Sequence, residues 1–534
     1  MSGAAIDASA AAEDGALLGE VDTVIVGAGI AGLGLGIRLA RRGTASFVIL
    51  ERADEVGGTW RDNIYPGVAC DIPSHLYSYS FRPKPDWSRF FAPGREIQDY
   101  LVESARAEGL LPHLRFGAAV LGSRWDEPAG RWIVRTPAGY YRSRVLVMAA
   151  GRLSEPRIPE VRGLDGFLGQ VIHSARWSSD LDLRGQRVGI VGTGASAVQL
   201  IPAVAETAAS VTVFQRSAAY VVPRGDTAYT ASEQRLFTRD PDSAERLRSR
   251  LFWSMEEGYA QRIGMPGPQG ELRDRARRHL EAQIEDPGLR ADLTPDYEIG
   301  CKRVLLSDDF YPALARDTVT LEPTALAAVS GSVATARSGR SYDLDVLILA
   351  TGFESTEPPY ARSIIGRDGV LLADRWSDGM VAYASTAVHG FPNMFVLDGP
   401  NASLGHNSAV YMIEAQIDHV LDALAALAAA DAADVARGSI EQRTAVLAVS
   451  RQAEEDYITE LDRVAASTVW LGGECTSWYV DERSGRLTLL WPDFAFAFQR
   501  RIGRFDPSAY GLASVGDGDS DAARQQGSEQ IELA

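Results

Sequence analysis

Thr23-Val-Ile-Val-Gly27-Ala-Gly29-Ile-Ala-Gly32 is an apolar, β-branched run that stops at glycine and passes into residues at helical spacing. Apolar positions repeat from Ile30 to Arg42, Gly43 ends that helix, and Phe47 to Glu51 reads as a second strand. Strand, glycine turn, helix and strand make a βαβ unit. The glycines follow the GxGxxG spacing of a dinucleotide site. Gly27 permits the tight turn, Gly29 lets backbone approach a pyrophosphate, and Gly32 lets helix and strand pack closely. Ile30 and Ala31 open the helix, whose unpaired N–H groups and positive dipole end face the phosphates. Glu51 closes the second strand, where a carboxylate accepts hydrogen bonds from ribose hydroxyls.

The pattern recurs between Arg187 and Arg216. Gly192-Thr193-Gly194-Ala195-Ser196-Ala197 is its GxGxxA form, between an apolar strand and a helix. Here the second strand ends Phe214-Gln-Arg216-Ser217, with a guanidinium in place of the acid. Arginine binds phosphate oxygens bidentately, so Arg216 favours the 2′-phosphate of NADPH over NADH. Two dinucleotide folds in one chain imply a flavin and a nicotinamide exchanging hydride. The sequence has no CxxC, which removes the disulfide reductases and leaves mainly oxygenases. The expected fold class is α/β, with two Rossmann-like dinucleotide-binding domains and a helical insertion in the NADPH domain.

The rest of the chain agrees with that frame. Its 534 residues suit two or three packed units, and 46% hydrophobic with 23% charged residues is a globular composition. A net charge of -18 makes nucleic acid an improbable partner. No run approaches the roughly 18 apolar residues of a membrane span. Cys70, Cys301 and Cys475 are far apart in sequence, which argues against a disulfide framework and suits a cytoplasmic address. Residues 1–20 and 514–534 read as disordered tails. Residues 21–155 and 385–513 read as one discontinuous flavin domain. Residues 156–384 read as the NADPH domain, with a helical insertion at about 227–296. A late helix is expected from Val410 to Ala429. The expected oligomeric state is a monomer or weak homo-oligomer.

Gly57-Gly58-Thr59-Trp60-Arg-Asp-Asn-Ile-Tyr65-Pro66-Gly67-Val-Ala-Cys-Asp71 narrows the chemistry. It resembles the active-site fingerprint of type I Baeyer–Villiger monooxygenases, Gly-Gly-x-Trp, then Tyr/Phe-Pro-Gly, then Asp. Phe167-Leu-Gly169-Gln-Val-Ile-His173-Ser-Ala-Arg-Trp177 matches a second family signature, followed by Ser178 where the family usually has Pro or Asp. Lys302-Arg303 and Ala350-Thr351-Gly352-Phe353 match two further segments, and the likeness runs from about Val21 to Phe498. The resemblance implies FAD in the first site and NADPH in the second. It also implies that O2 adds to reduced flavin as a C4a-peroxyflavin, which turns a ketone into an ester or lactone. NADP⁺ would stay bound, and the domains would rotate between half-reactions.

The same resemblance makes Arg303 the essential arginine, pairs it with Asp71, and sets Lys302 beside the NADPH 2′-phosphate. A fixed cation is what a developing oxyanion needs, and arginine stays protonated when buried. Gly58, Thr59, Trp60, Tyr65 and Tyr77 would lie beside the flavin. Gly399-Pro-Asn401, with Leu404 to Ser408, would reach its ring at the start of the late helix. His173 reads as a structural hydrogen-bonder. The nearest rival is an S- or N-oxygenating flavin monooxygenase, which needs no cation for a carbonyl oxyanion. A flavin-binding sensor without turnover is a rival of another class.

Overall fold

The structure, a computed structural model, describes residues 15–43, 45–436, 445–473 and 475–514. Of the expected tails, residues 1–14 and 515–534 lie outside the described residues. The remainder is instructive. The first strand begins at Leu17, inside the stretch read as tail, because Leu17 to Val21 pair in parallel with Tyr140 to Ser143 before the apolar run starts.

That strand, Leu17–Val26, sits inside an eight-stranded sheet. On one side lies Phe47–Leu50, in register Val24 to Val48, and on the other Gly139–Met148. The centre is parallel and nearly all apolar, as expected for strands buried on both faces. Gly122–Asp126, Arg131–Thr136 and Gly139–Met148 form an antiparallel meander, each strand antiparallel to the next. The sheet is completed from far away: Met394–Val396 pairs with Leu146 to Met148, and Ile364–Ile365 with Ser123 and Arg124. The expected domain boundary at 384 therefore differs from the structure, where Ala361, Ile364, Leu372, Trp376 and Met380 pack in this sheet's core. A two-residue strand is too short to leave a periodic signal.

The second sheet has five parallel strands, ordered Val319–Glu322, Ser210–Phe214, Arg187–Val191, Val346–Leu349 and Gln170–His173. Five helices between Ala231 and Asp292 occupy the place read as a helical insertion. An antiparallel meander from Leu326 to Asp343 has no counterpart in the sequence reading. The late helix is longer than expected, Ala409–Ala436, and packs on the first helix, where Gly34 leaves room for Ile417 and Tyr79.

The expectation for the cysteines is overturned. Cys301 and Cys475 form a disulfide across a sequence separation of 174, and Cys70 is buried and free. Distance along the chain said nothing about distance in space: a Cβ on Gly473 would lie 3.0 Å from the Cys301 sulfur. The bridge ties the Lys302–Arg303 loop to the C-terminal aromatic segment. Closing so long a loop restricts the unfolded chain, so Cys475→Ser is expected to cost about 2–5 kcal/mol, read as a lower midpoint in denaturant. An unchanged midpoint would deny the bridge a role in stability.

Candidate active site

The first glycine turn is built as its spacing demands. Gly27 has φ +105°, and a Cβ there would lie 2.5 Å from the Ala149 carbonyl oxygen. Gly32 faces the Gly27 carbonyl so closely that a Cβ would come within 1.9 Å of its oxygen. Gly29 meets only the backbone of Gly58, at 3.7 Å, so the two glycine loops face each other with no side chain between them. This bare strip at the head of the helix fits a pyrophosphate. Glu51 is 4% exposed and accepts from the backbone N–H groups of Ala28 and Ala53, each at 2.9 Å, and from Arg61 Nη1 at 3.0 Å. Three of the roughly four acceptor directions of a carboxylate are thus taken by the fold itself.

Thr59 and Trp60 lie on the short helix that follows Gly58, and Trp60 Nε1 donates to the Tyr77 hydroxyl at 3.3 Å. Tyr65 is buried in the core of the second unit, and its hydroxyl donates to Gln199 Oε1 at 3.1 Å. Gln199 in turn donates to the Ala69 carbonyl, and Gly67, at φ +82°, sits against the Gln199 backbone. Tyr65 thus docks the fingerprint loop on the second unit through its hydroxyl. The Asn401 side-chain amide donates to the carbonyls of Leu487 and Leu490, which uses both N–H bonds to fasten the C-terminal segment.

Beside the fingerprint, Arg303 Nε and Nη2 both donate to Asp71 Oδ2, at 2.7 and 2.5 Å, across 232 residues of sequence. The carboxylate holds the guanidinium proton even more firmly than usual, against the cost of burial. The Tyr479 hydroxyl lies within electrostatic reach of Arg303. Arg152 stands on the same side, ion-paired with Asp398, and burial lowers its pKa to about 10. The sequence reading missed Arg152, although it lies four residues beyond the end of the central strand Gly139–Met148.

The second turn repeats the first. Gly192 has φ +111°, and a Cβ on Gly194 would meet nothing within 4 Å, so the start of the helix carrying Ala195, Ser196 and Ala197 is open. Thr193 Oγ1 donates to the Ser217 carbonyl at 3.1 Å, and Lys302 Nζ donates to Ser217 Oγ at 3.1 Å. Lys302 also lies 4.4 Å over the Tyr297 ring. Burial, then the charge of Arg216, lowers the Lys302 pKa, so the two cations share one neighbourhood at the strand end. That fits a phosphate between them. The double variant Arg216→Ala, Lys302→Ala is expected to cut the preference for NADPH over NADH about 100-fold or more, at 1.5–3 kcal/mol per charged hydrogen bond. Ratios of kcat/KM for the two coenzymes check it. Ala350, Thr351 and Gly352 follow the neighbouring strand Val346–Leu349, with Gly352 at φ +84° and the Thr351 hydroxyl on the Arg157 carbonyl. His173 accepts from the Ala175 N–H through Nδ1, and burial lowers its pKa to about 4, in keeping with a structural part.

A flavin-binding monooxygenase-like family model matches residues 21–241. A Baeyer–Villiger monooxygenase of Streptomyces coelicolor is 42% identical, covering 92% of this chain and 92% of its own. One from Pseudomonas aeruginosa is 39% identical, over 92% and 91%. Among solved structures, an oxidized steroid monooxygenase bound to NADP superposes with a TM-score of 0.79 at 30% identity, covering 92% of this chain and 99% of that one. The glycine turns, the fingerprint loop and the Arg303–Asp71 pair thus lie in a chain whose relatives match it over 92% of its length, and it belongs to the Baeyer–Villiger monooxygenases.

Proposed function

We propose that this chain binds FAD at the Gly27–Gly32 turn and NADPH at the Gly192–Ala197 turn, and that it inserts one oxygen atom of O2 into a ketone to give an ester or lactone. In domain terms, the unit built on the first sheet, with Ile364–Ile365 and Met394–Val396 in it, would carry the flavin, and the five-stranded unit between Gln170 and Leu349 the NADPH. The flavin, reduced by NADPH, supplies the activated oxygen. The chain supplies two nucleotide cradles and a fixed positive charge. Arg303 faces the negative charge that develops on the carbonyl oxygen, and Asp71 fixes the direction of the guanidinium, so little reorganisation is needed when charge appears. Gly29 and Gly58 admit the flavin pyrophosphate, with Trp60 and Tyr77 beside the ring. Arg216 and Lys302 hold the 2′-phosphate.

The observation that carries this reading is the Arg303–Asp71 pair. A monooxygenase that attacks only sulfur or nitrogen has no carbonyl oxyanion for such a cation to meet. The test supplies the purified protein with FAD, NADPH, O2 and a panel of linear, cyclic and aryl ketones, with thioethers and amines alongside. A product one oxygen heavier than its ketone is expected. Sulfoxides or N-oxides without any ester would move the protein to the rival class. A cytoplasmic address and a monomeric or weakly associated state belong to the same proposal. What supports the first is that no helix among the described residues is long and apolar enough to cross a membrane.

A further inference from the structure

Glu256 ends the helix Pro241–Glu256 in the insertion and is 3% exposed. Burying a carboxylate costs several kcal/mol unless donors converge on it. Here four do, and none belongs to its own helix. His406 Nε2 lies at 3.2 Å and Asn407 Nδ2 at 2.7 Å, while the backbone N–H groups of Ala495 and Phe496 lie at 3.2 and 3.3 Å. The last two open the helix Ala495–Ile502, so Glu256 caps from another element an N-terminus that attracts negative charge. Burial opposes its ionisation, yet the bonds from His406 and Asn407 hold the carboxyl below its usual range.

The Asn407 contact sets a direction. Because Nδ2 points at Glu256 and at the Phe252 carbonyl, Oδ1 turns to accept from the Ser408 N–H at 2.8 Å, one residue before the helix Ala409–Ala436. Six residues beyond Glu256, Arg262 reaches the same loop and donates to the Gly405 carbonyl at 3.0 Å. Tyr259, between them, donates to the Pro492 carbonyl at 2.7 Å. An anion and a cation of the insertion therefore grip residues 405–407 at both ends.

We propose that Glu256 is a positioning residue for the oxygenation: from the insertion it fixes the Gly405–Ser408 loop that delivers the late helix to the flavin ring. This rests on the proposed function together with the expectation, implied by the family resemblance, that Leu404 to Ser408 reach the flavin ring. Glu256→Gln keeps the side chain's size but turns one acceptor into an N–H group facing other donors. In the FAD-loaded enzyme it is expected to change the visible circular dichroism of bound flavin. The share of NADPH consumed that appears as ester should fall about tenfold or more, with hydrogen peroxide accounting for the rest, since sub-ångström misplacement is costly in such sites. Glu256→Asp should restore part of the coupling.

A residue that only held the fold would lower the unfolding midpoint and leave both the flavin spectrum and the coupling of the folded enzyme alone. That result overturns the proposal, as does full coupling in Glu256→Gln. If that variant does not accumulate, Asn407→Ser removes the same bridge from the loop side, and the same two readouts decide. A wild-type enzyme that binds flavin but oxidises no ketone would sink the proposed function, and the flavin spectrum of Glu256→Gln would still decide this inference.

Discussion

Arg303→Ala is expected to lower ester formation about 1000-fold or more while NADPH oxidation continues and O2 leaves as hydrogen peroxide. The loss is twofold in origin. The cation that meets the developing oxyanion is gone, and Asp71, which receives two hydrogen bonds from Arg303, is left as an unpaired, half-buried anion that repels that charge. Arg303→Lys should recover only part of the rate, because an ammonium cannot reproduce the paired Nε and Nη2 geometry. Simultaneous assay of ester, NADPH and peroxide separates chemistry from coenzyme use. Ester formed at near wild-type rate by the alanine variant would remove Arg303 from the site.

Gly32→Ala is expected to destroy flavin binding and to destabilise the protein by more than about 3 kcal/mol. The added methyl would stand 1.9 Å from the Gly27 carbonyl oxygen and 3.3 Å from the Ile25 side chain, so helix and strand must separate. Backbone, not a flexible side chain, is what it strikes. The displaced helix end is also the one that faces the pyrophosphate. Purification without yellow colour and a lower midpoint in denaturant are the readouts. A yellow, equally stable Gly32→Ala protein would show that the turn yields where its geometry says it cannot. Gly194→Ala makes the contrast: space is open there, so stability should hold while NADPH binding weakens.

Both glycine turns could be read from sequence because their causes are local. A β-branched run, a glycine with positive φ and a helical repeat all lie within about a dozen residues. The Arg303–Asp71 pair is different: nothing in spacing joins residues 232 apart, and only the family resemblance brought them together. Tyr65 and Asn401 lie in matching segments, but the resemblance did not show that one bonds Gln199 and the other Leu487 and Leu490. Motif membership locates a loop but not the direction of each side chain. Glu256 left no signal, since an acid at the end of a polar helix looks like any solvated residue. The Cys301–Cys475 bridge and the pairing of Ile364–Ile365 with the first sheet were hidden for the same reason: both depend on where distant segments meet.

The first sheet's dependence on Met394–Val396 bears on how the molecule is made. During synthesis, Leu146 to Met148 emerge long before the strand that flanks them, and at ribosomal speed the wait is on the order of tens of seconds. The five strands of the second sheet all lie between Gln170 and Leu349, so that unit can close first. Until the ribosome has passed Val396, the nascent chain carries an apolar strand with one edge open to any neighbour. Soluble yield should therefore depend more on temperature and chaperone supply during expression than the finished protein's stability would suggest.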